Sequence, residues 1–279
     1  MPSEPWVRRK ILIIGKTYPA YSQKYRETAC TGGIFYDTYE MVRLYPIPFR
    51  YLSGEQAFKS WQIIEALVQR DMSDPRPESY RINFQSIKLL DEIPPKRAAE
   101  RRGYLERSPN AVKSVEELRR RQKEEGLSLG IVKPASIFEC DVEPKDEIER
   151  EIWEEKEREV TAQLLLFGEP SKPLDYIDAR FKVGWRCNDD QCPKHHMFLH
   201  TWPIHQLYRK YRTDPDGKDK IVKAMWQCLD VTKLDVFLFL GSFRTIMVNF
   251  GLMDSYAAPR TDQMMLIPNF PLPDHEDFE

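Results

Sequence analysis

Cysteine is scarce in this 279-residue chain, and its five copies are scattered from position 30 to position 228. An odd and dispersed set is not the framework of a disulfide-stapled secreted protein, so we expect metal binding or simple burial. Long apolar runs are also missing, since no stretch approaches the roughly 18 apolar residues of a membrane span. The N-terminus lacks a cleavable apolar segment. These absences predict a cytoplasmic protein without membrane contacts.

Several motifs that would identify a chemistry at once are missing. The chain contains no phosphate-binding P-loop, no GxGxxG dinucleotide fingerprint and no GxSxG nucleophile elbow. The chain has 21 prolines and only 12 glycines, which is typical of a protein with many short secondary-structure elements joined by rigid turns. A function must therefore be sought in less standard groupings of residues.

The net charge of −2 hides an uneven distribution along the chain. Residues 1–130 carry an excess of six basic residues, whereas residues 131–279 carry an excess of eight acidic residues. The basic half is the better place for a partner that bears phosphate groups, and the acidic half could face a protein partner.

The sequence predicts an α+β protein with three parts, residues 1–92, 93–172 and 173–279. The first part contains the apolar or alternating stretches RKILIIGKTYP, ETACTGGIFYDTYEMVRLYPI, SWQIIEALVQR and RINFQSIKLL. We interpret these as five short strands, which favour a small β-barrel that is closed or nearly closed.

Helical and mixed segments follow the predicted barrel. In SPNAVKSVEELRRRQKEEG, Ser114 and Glu117 form a capping box and Gly126 ends the helix. The third part is predicted to be α+β, with a hairpin made by ARFKVGW and MFLHTW and held together by a metal.

The stretch WRCNDDQCPKHHMFLHTW, residues 185–202, concentrates residues that the chain otherwise uses sparingly. Two thiolates and two imidazoles satisfy the four N/S ligands that structural zinc prefers. On a strand, His195 faces opposite to His196 and His200, so the choice of histidines stays open. The candidate zinc ligands are Cys187, Cys192, His195, His196 and His200.

A closed set of four ligands indicates a structural metal. A water in one ligand position would instead make the site catalytic, with Asp189, Asp190 or His205 assisting. A turn without metal is the remaining alternative.

Three clusters in the N-terminal half interleave basic and aromatic residues among prolines: KTYPAYSQKYRE, VRLYPIPFRYL and DPRPESYR. Guanidinium groups grip phosphates and aromatic rings stack on bases, so the pattern favours a nucleic-acid groove on the barrel. Arginines paired with local carboxylates would be the alternative explanation. The candidate binding residues are Lys16, Tyr18, Lys24, Arg43, Tyr45, Arg50, Arg76, Tyr80 and Arg81.

The motifs KTYP, RLYPIPFR and DPRPESYR, followed downstream by the Cys/His cluster and FLG, resemble a group of poorly characterised prokaryotic proteins. In those relatives the cluster is followed by Asp-Trp-Glu, whereas this chain has Thr201-Trp202-Pro203. The resemblance implies common ancestry over about two thirds of the chain and no activity. The predicted barrel is also similar to PUA-like and OB-like nucleic-acid modules, which is an analogy of fold alone.

Three functions are compatible with these features. The leading one is nucleic-acid binding by the barrel, with a structural zinc in the C-terminal part. The second is a metal-dependent nuclease that uses the region from Cys187 to His205. The third is an interaction subunit of a larger assembly, such as a host-defence complex, which binds a protein partner through the acidic half.

Overall fold

The computed structural model describes residues 4–22, 26–52, 54–166, 173–243 and 249–260. Within these ranges the chain is α+β, as the sequence predicts, with thirteen strands and five α-helices. The strands are β1 (Val7–Lys16), β2 (Ala20–Ser22), β3 (Arg26–Phe35), β4 (Met41–Ile47), β5 (Gln62–Arg70), β6 (Ser79–Glu92), β7 (Ala111–Val112), β8 (Leu129–Val132), β9 (Pro134–Pro144), β10 (Ala179–Cys187), β11 (His195–Phe198), β12 (Leu234–Ser242) and β13 (Phe250–Pro259). The α-helices are α1 (Ala98–Arg107), α2 (Val115–Glu125), α3 (Glu147–Leu166), α4 (Trp202–Tyr211) and α5 (Gly217–Cys228). Among the described residues, no helix is both long enough and apolar enough to cross a membrane.

The first six strands form one sheet in the order β1-β5-β6-β4-β3-β2. Strand β1 also pairs with β3, and this pairing closes five of the strands into a small barrel. Every neighbouring pair is antiparallel except β4 and β6, which run parallel. The barrel predicted from the spacing of short strands is therefore present, with β2 as an extra edge strand.

Strand β1 is apolar on both sides because both of its faces are buried. Ile11 and Ile13 point into the barrel, where they pack with Phe35 and other interior residues. Leu12 and Ile14 point outward and pack against residues of the second part. This double burial explains why the run ILII lacks the alternation of a strand with one solvated face.

The second part holds two further sheets, with strand orders β11-β10-β9 and β13-β12-β8-β7. The four-stranded sheet lies between the barrel and the C-terminal core. Phe237 and Phe239 of β12 pack toward the barrel, whereas Leu238 and Leu240 face the opposite core. The barrel and the second part thus share one continuous apolar contact.

Helix α2 begins and ends where its sequence predicts. The hydroxyl oxygen of Ser114 accepts a hydrogen bond from the backbone N–H of Glu117, 3.1 Å away. The carboxylate of Glu117 accepts one in return from the N–H of Lys113, at 2.8 Å. Gly126 ends the helix in the left-handed conformation, with φ of 79°, which glycine adopts without steric cost.

Gly15 is the point of closest approach between β1 of the barrel and β13. A Cβ atom at this position would lie 2.2 Å from the Oδ2 atom of Asp254, so the carboxylate occupies the space that glycine leaves open. Burial raises the pKa of Asp254 to about 7. Burial also lowers the pKa of neighbouring Lys16 well below its ordinary value, although the charge of Asp254 opposes this shift.

Strand β13 differs from the expectation. The sequence favours a strand over the stretch RTIMVNFG, of which residues 244–248 lie outside the described ranges. The described strand begins only at Phe250 and continues through GLMDSYAAP, which pairs along the whole of β12. This strand is hard to predict from the sequence because it contains Asp254 and Ser255. A carboxylate is rarely buried, so its presence argues against a buried strand.

Candidate metal centre and adjoining cavity

Four side chains from distant parts of the chain meet in the second part. Cys187 ends β10, Cys192 lies in the following turn, His195 begins β11 and Glu116 lies in the first turn of α2. One potential ligand atom from each residue lies within 4.8 Å of the others. This Cys/Cys/His/Glu cluster can hold a metal ion.

The distances within the cluster fit a tetrahedral centre. The Nε2 atom of His195 lies 3.1 Å from the Sγ atom of Cys192 and 3.4 Å from that of Cys187. It lies 3.8 Å from the Oε1 atom of Glu116. Ligand atoms bound to zinc at about 2.0–2.3 Å are separated by roughly 3.5 Å at tetrahedral angles. The observed separations are close to that value.

The turn between β10 and β11 brings the two cysteines together. The backbone N–H of Cys192 donates to the carbonyl oxygen of Asp189 at 3.0 Å and closes the turn. The N–H of Cys187 then points at the Sγ atom of Cys192, 3.1 Å away. Such N–H to sulfur contacts stabilise thiolates, so the backbone supports the charged form of the ligand.

Helix α2 supplies a second support from its N-terminus. The N–H of Val115, the first residue of the helix, donates to the Sγ atom of Cys187 at 3.3 Å. The positive end of the helix dipole favours a thiolate at this place. Burial nevertheless raises the pKa of Cys187 to about 12. At neutral pH this sulfur would become a thiolate only if a bound cation displaced its proton.

Glu116 gives independent support for a cation. Both of its carboxylate oxygens are shielded from solvent, and neither accepts a hydrogen bond within the described part of the chain. The guanidinium group of Arg119 is near, with Nη1 at 3.6 Å from Oε1. A buried carboxylate without hydrogen bonds is costly, and coordination of a metal removes that cost.

The other two predicted histidine ligands lie elsewhere. His196 follows His195 on β11 and therefore points to the opposite, exposed face, where its Nε2 atom lies 3.0 Å from the Oε2 atom of Glu139. His200 lies beyond the strand and contacts the ring of Phe243, with centroids 5.9 Å apart. The strand thus brings His195 rather than His196 into the cluster, and Glu116 contributes the fourth potential ligand.

The residues proposed to assist a catalytic metal are not gathered at the cluster. His205 is buried, and its Nδ1 atom donates to the carbonyl oxygen of Thr201 at 2.7 Å. Its ring stacks on Tyr18 with centroids 4.9 Å apart. Burial lowers the pKa of His205 to about 3. Asp189 uses its backbone carbonyl and its carboxylate to shape the cysteine turn.

A cavity of about 430 Å³ adjoins the metal cluster. This volume is within the range of small-molecule sites. His195 belongs both to the cluster and to the wall of the cavity, and Arg119 connects the wall to Glu116. None of the lining residues that the structure describes is a carboxylate. They are Arg119, Lys194, His195, His196, Met197, Phe198, His200, Phe243, Asn249, Phe250 and Gly251.

Aromatic side chains form much of the cavity wall. The ring of Phe243, which is 41% exposed, lies against Gly251. A Cβ atom at Gly251 would approach the Cζ atom of Phe243 to 2.6 Å, so the glycine permits this position of the ring. Burial lowers the pKa of His200 to about 4, and its imidazole is therefore neutral at pH 7. The wall combines stacking surfaces with a neutral hydrogen-bonding group and two basic side chains, Arg119 and Lys194.

The barrel residues predicted to bind nucleic acid do not line one exposed groove. Lys16, Arg43 and Arg76 are buried, which differs from the expectation of surface phosphate ligands. Tyr18 and Tyr80 are partly buried, and Arg50 is paired with Glu27 and with the carbonyl oxygen of Pro173. Tyr45 is 37% exposed and the side chain of Arg81 is 42% exposed. The prediction for Lys24 falls outside the described residues.

Arg43 and Glu78 instead connect the barrel to the second part. The Nη1 atom of Arg43 donates to the hydroxyl oxygens of Ser79 and Ser128, at 3.2 and 3.1 Å. The carboxylate of Glu78 accepts from both the N–H and the hydroxyl group of Ser128, at 2.8 and 2.6 Å. Both charged groups are buried, and these hydrogen bonds compensate for their loss of contact with water.

Arg76 makes a second connection of the same kind. Its guanidinium group is paired with Asp74, with Nη2 at 2.6 Å from Oδ2. Its Nη1 atom donates to the carbonyl oxygen of Ser242 at 2.8 Å. The KTYP segment also crosses to the second part, because the N–H of Tyr18 donates to the carbonyl oxygen of His200 at 3.0 Å. All three sequence motifs therefore contribute to the junction between the two parts.

Sequence reasoning missed Glu116 and Arg119. Both lie on α2, about 70 residues before the cysteines, and the stretch VEELRRRQKEE looks like an ordinary solvated helix. The only local signal was the N-cap at Ser114, which places Glu116 in the first turn, where a carboxylate is favourable without any metal. Glu116 approaches the hairpin only through tertiary packing, which the spacing of residues in the sequence does not indicate.

The fold and the cluster define an α+β protein in which a closed barrel is joined to a second part with a Cys/Cys/His/Glu metal cluster. Residues 110–271 match the family described as "Domain of unknown function (DUF8757)", and the chain belongs to this family. Residues 7–107 match a second family, "Domain of unknown function (DUF8758)". The two matches meet between α1 and β7. No curated protein matches the chain.

Proposed function

We propose that the protein binds nucleic acid through the cavity beside the metal cluster, and that the metal is a structural zinc ion. The observation that carries the proposal is the cavity wall, whose described residues include aromatic rings, Arg119 and Lys194 but no carboxylate. Rings stack on bases and cations attract phosphates, so this composition suits nucleic acid better than an apolar or a basic ligand.

The choice of zinc follows from the donor set. Two sulfurs and one imidazole favour zinc over calcium or magnesium, which take oxygen ligands. Glu116 completes four ligands, and a filled tetrahedron indicates a structural rather than a catalytic ion. The zinc would fix His195 at the cavity wall and would tie the β10–β11 hairpin to helix α2.

The location of the proposed site differs from the sequence prediction, although the class of ligand is the same. Buried arginines of the barrel are engaged within the protein, whereas Lys194 is exposed and Arg119 has 46% of its side chain exposed. Exposed cations can exchange counterions for phosphates, which is the physical basis of salt-dependent binding.

A gel-shift experiment tests the proposal with the full-length protein. Labelled single- and double-stranded DNA and RNA are incubated at two salt concentrations, with magnesium and with chelator. We expect a shift of intact probe that weakens with salt. We also expect the double variant Arg119→Gln/Lys194→Gln to weaken binding about tenfold or more, since each lost phosphate contact removes favourable electrostatic energy.

The matched control is Lys223→Gln, an exposed lysine of α5 that does not line the cavity. Zinc content is measured on every variant, because Arg119 lies beside Glu116 and its loss must be separated from loss of the metal. A probe that stays unmoved at low salt would overturn the proposal and favour an interaction subunit. Metal-dependent cutting of the probe would instead favour a nuclease.

A further inference from the structure

The cavity is small compared with a nucleic-acid groove, and this size restricts the ligand. About 430 Å³ accommodates one nucleotide but not the width of a duplex. A base can enter a cavity lined by rings only after it has left its stack. Single strands and unpaired ends present such bases without any cost of unpairing.

Two basic side chains at the cavity wall suit a phosphodiester group. Arg119 and Lys194 both line the cavity. The carboxylate beside His196 belongs to Glu139, which shares Lys182 as an ion-pair partner with Glu143, at 3.1 Å each. The two basic side chains of the wall can therefore attract a phosphodiester unit within a strand.

The rings provide a place for the base. Phe243 lies against Gly251 and keeps 41% of its surface exposed at the cavity wall, so its ring is accessible to a base. His200 contacts the same ring from the side and is neutral, so it can exchange hydrogen bonds with a base edge.

We propose that this cavity binds one unstacked nucleotide of single-stranded nucleic acid, with the base against Phe243 and the adjoining phosphate between Arg119 and Lys194. This inference rests on the proposed function and adds the strandedness and the recognised unit. DNA and RNA share the chemistry involved, and the experiment distinguishes them.

The test measures the anisotropy of labelled single-stranded DNA and RNA oligonucleotides with full-length protein. Phe243→Ala should weaken binding of the preferred strand about tenfold or more, since one base stacked on one ring contributes about 1–3 kcal/mol. Phe243→Tyr, which preserves the ring, should remain within about threefold of the native protein. The control is Trp226→Ala, because Trp226 is similarly exposed at 39% but lies on α5, away from the cavity.

Competition by unlabelled strands completes the test. A single strand should displace the probe at a concentration at least about tenfold lower than a blunt duplex, since the duplex must first unpair a base. Unchanged binding by Phe243→Ala, or stronger competition by the duplex, would overturn the inference and leave the proposed function intact. Failure of the native protein to bind any probe would overturn the proposed function itself.

Discussion

Glu116 is the residue whose surroundings most clearly indicate a bound cation. Its oxygens are hidden from solvent beside two sulfurs, and its described ion-pair partners are the partly exposed Arg119 and, when its ring is protonated, His195. Desolvation of a carboxylate costs several kcal/mol unless charges or hydrogen bonds compensate it. A divalent metal would compensate Glu116 and the thiolates of Cys187 and Cys192 together.

Replacement of one cysteine ligand should remove the metal. We expect native protein to contain about one zinc per chain and Cys192→Ser to contain little, because a hydroxyl group is a poor ligand for zinc. A ligand present at about 1,000 times its Kd stabilises a protein by about 4 kcal/mol, so the variant should be destabilised by several kcal/mol. Metal analysis and urea unfolding measure the two effects.

The control for this variant is Cys228→Ser, because Cys228 is a partly buried cysteine outside the cluster. It should retain the metal. Equal zinc content in Cys192→Ser and in native protein would show that the cluster is not the metal site.

At the level of single residues, the sequence was informative where ligands are close together in the chain. The density of cysteine and histidine in residues 185–202 indicated Cys187, Cys192 and His195, but it equally indicated His196 and His200, which are not part of the cluster. Strand parity placed His195 and His196 on opposite faces without showing which face bears the cluster. Glu116 could not be found, because its approach depends on how α2 packs against the hairpin.

Among the secondary-structure elements, helix α2 connects stability with the site. Its N-cap residue Ser114 fixes the first turn, the N–H of Val115 donates to Cys187, and its second turn places Arg119 at the cavity. A change at the cap should therefore affect both the folding and the metal.

Ser114→Ala tests this role of the cap. The loss of an N-cap hydroxyl costs about 1 kcal/mol of stability, which we expect to see in urea unfolding. The variant should also release zinc to a chelator several-fold faster, because the N–H of Val115 loses its fixed position. Lys123→Ala, at an exposed site on the same helix, is the control. Native stability and a native release rate in Ser114→Ala would separate the helix terminus from the metal site.

Across the whole molecule, the motifs KTYP, RLYPIPFR and DPRPESYR are explained by their contacts at the junction between the barrel and the second part. Arginines among tyrosines and prolines have the composition of a nucleic-acid groove, and composition alone does not show which arginines have internal partners. Asp74 lies two residues before Arg76, and Glu78 and Ser79 complete the network with Arg43. These partners were visible in DPRPESYR, but the packing of Ser128 and Ser242 against them was not.

Arg43 provides the last prediction, which separates a junction residue from a surface ligand. Arg43→Met should reduce the free energy of unfolding by about 2–4 kcal/mol, because the buried hydrogen bonds of its guanidinium group to Ser79 and Ser128 are lost. Arg81→Met, at an exposed ion pair with Asp71, should cost less than about 1 kcal/mol. Urea unfolding measures both.

Nucleic-acid affinity, measured well below the unfolding transition, then decides between the two roles. We expect Arg43→Met to bind single strands within about threefold of native protein once the unfolded fraction is subtracted, since its guanidinium group faces Ser79 and Ser128 inside the protein. A folded Arg43→Met variant with normal stability and lost affinity would return the binding site to the barrel. Loss of stability with retained affinity would establish that the motif holds the two parts together, so that the cavity at the metal cluster keeps its shape.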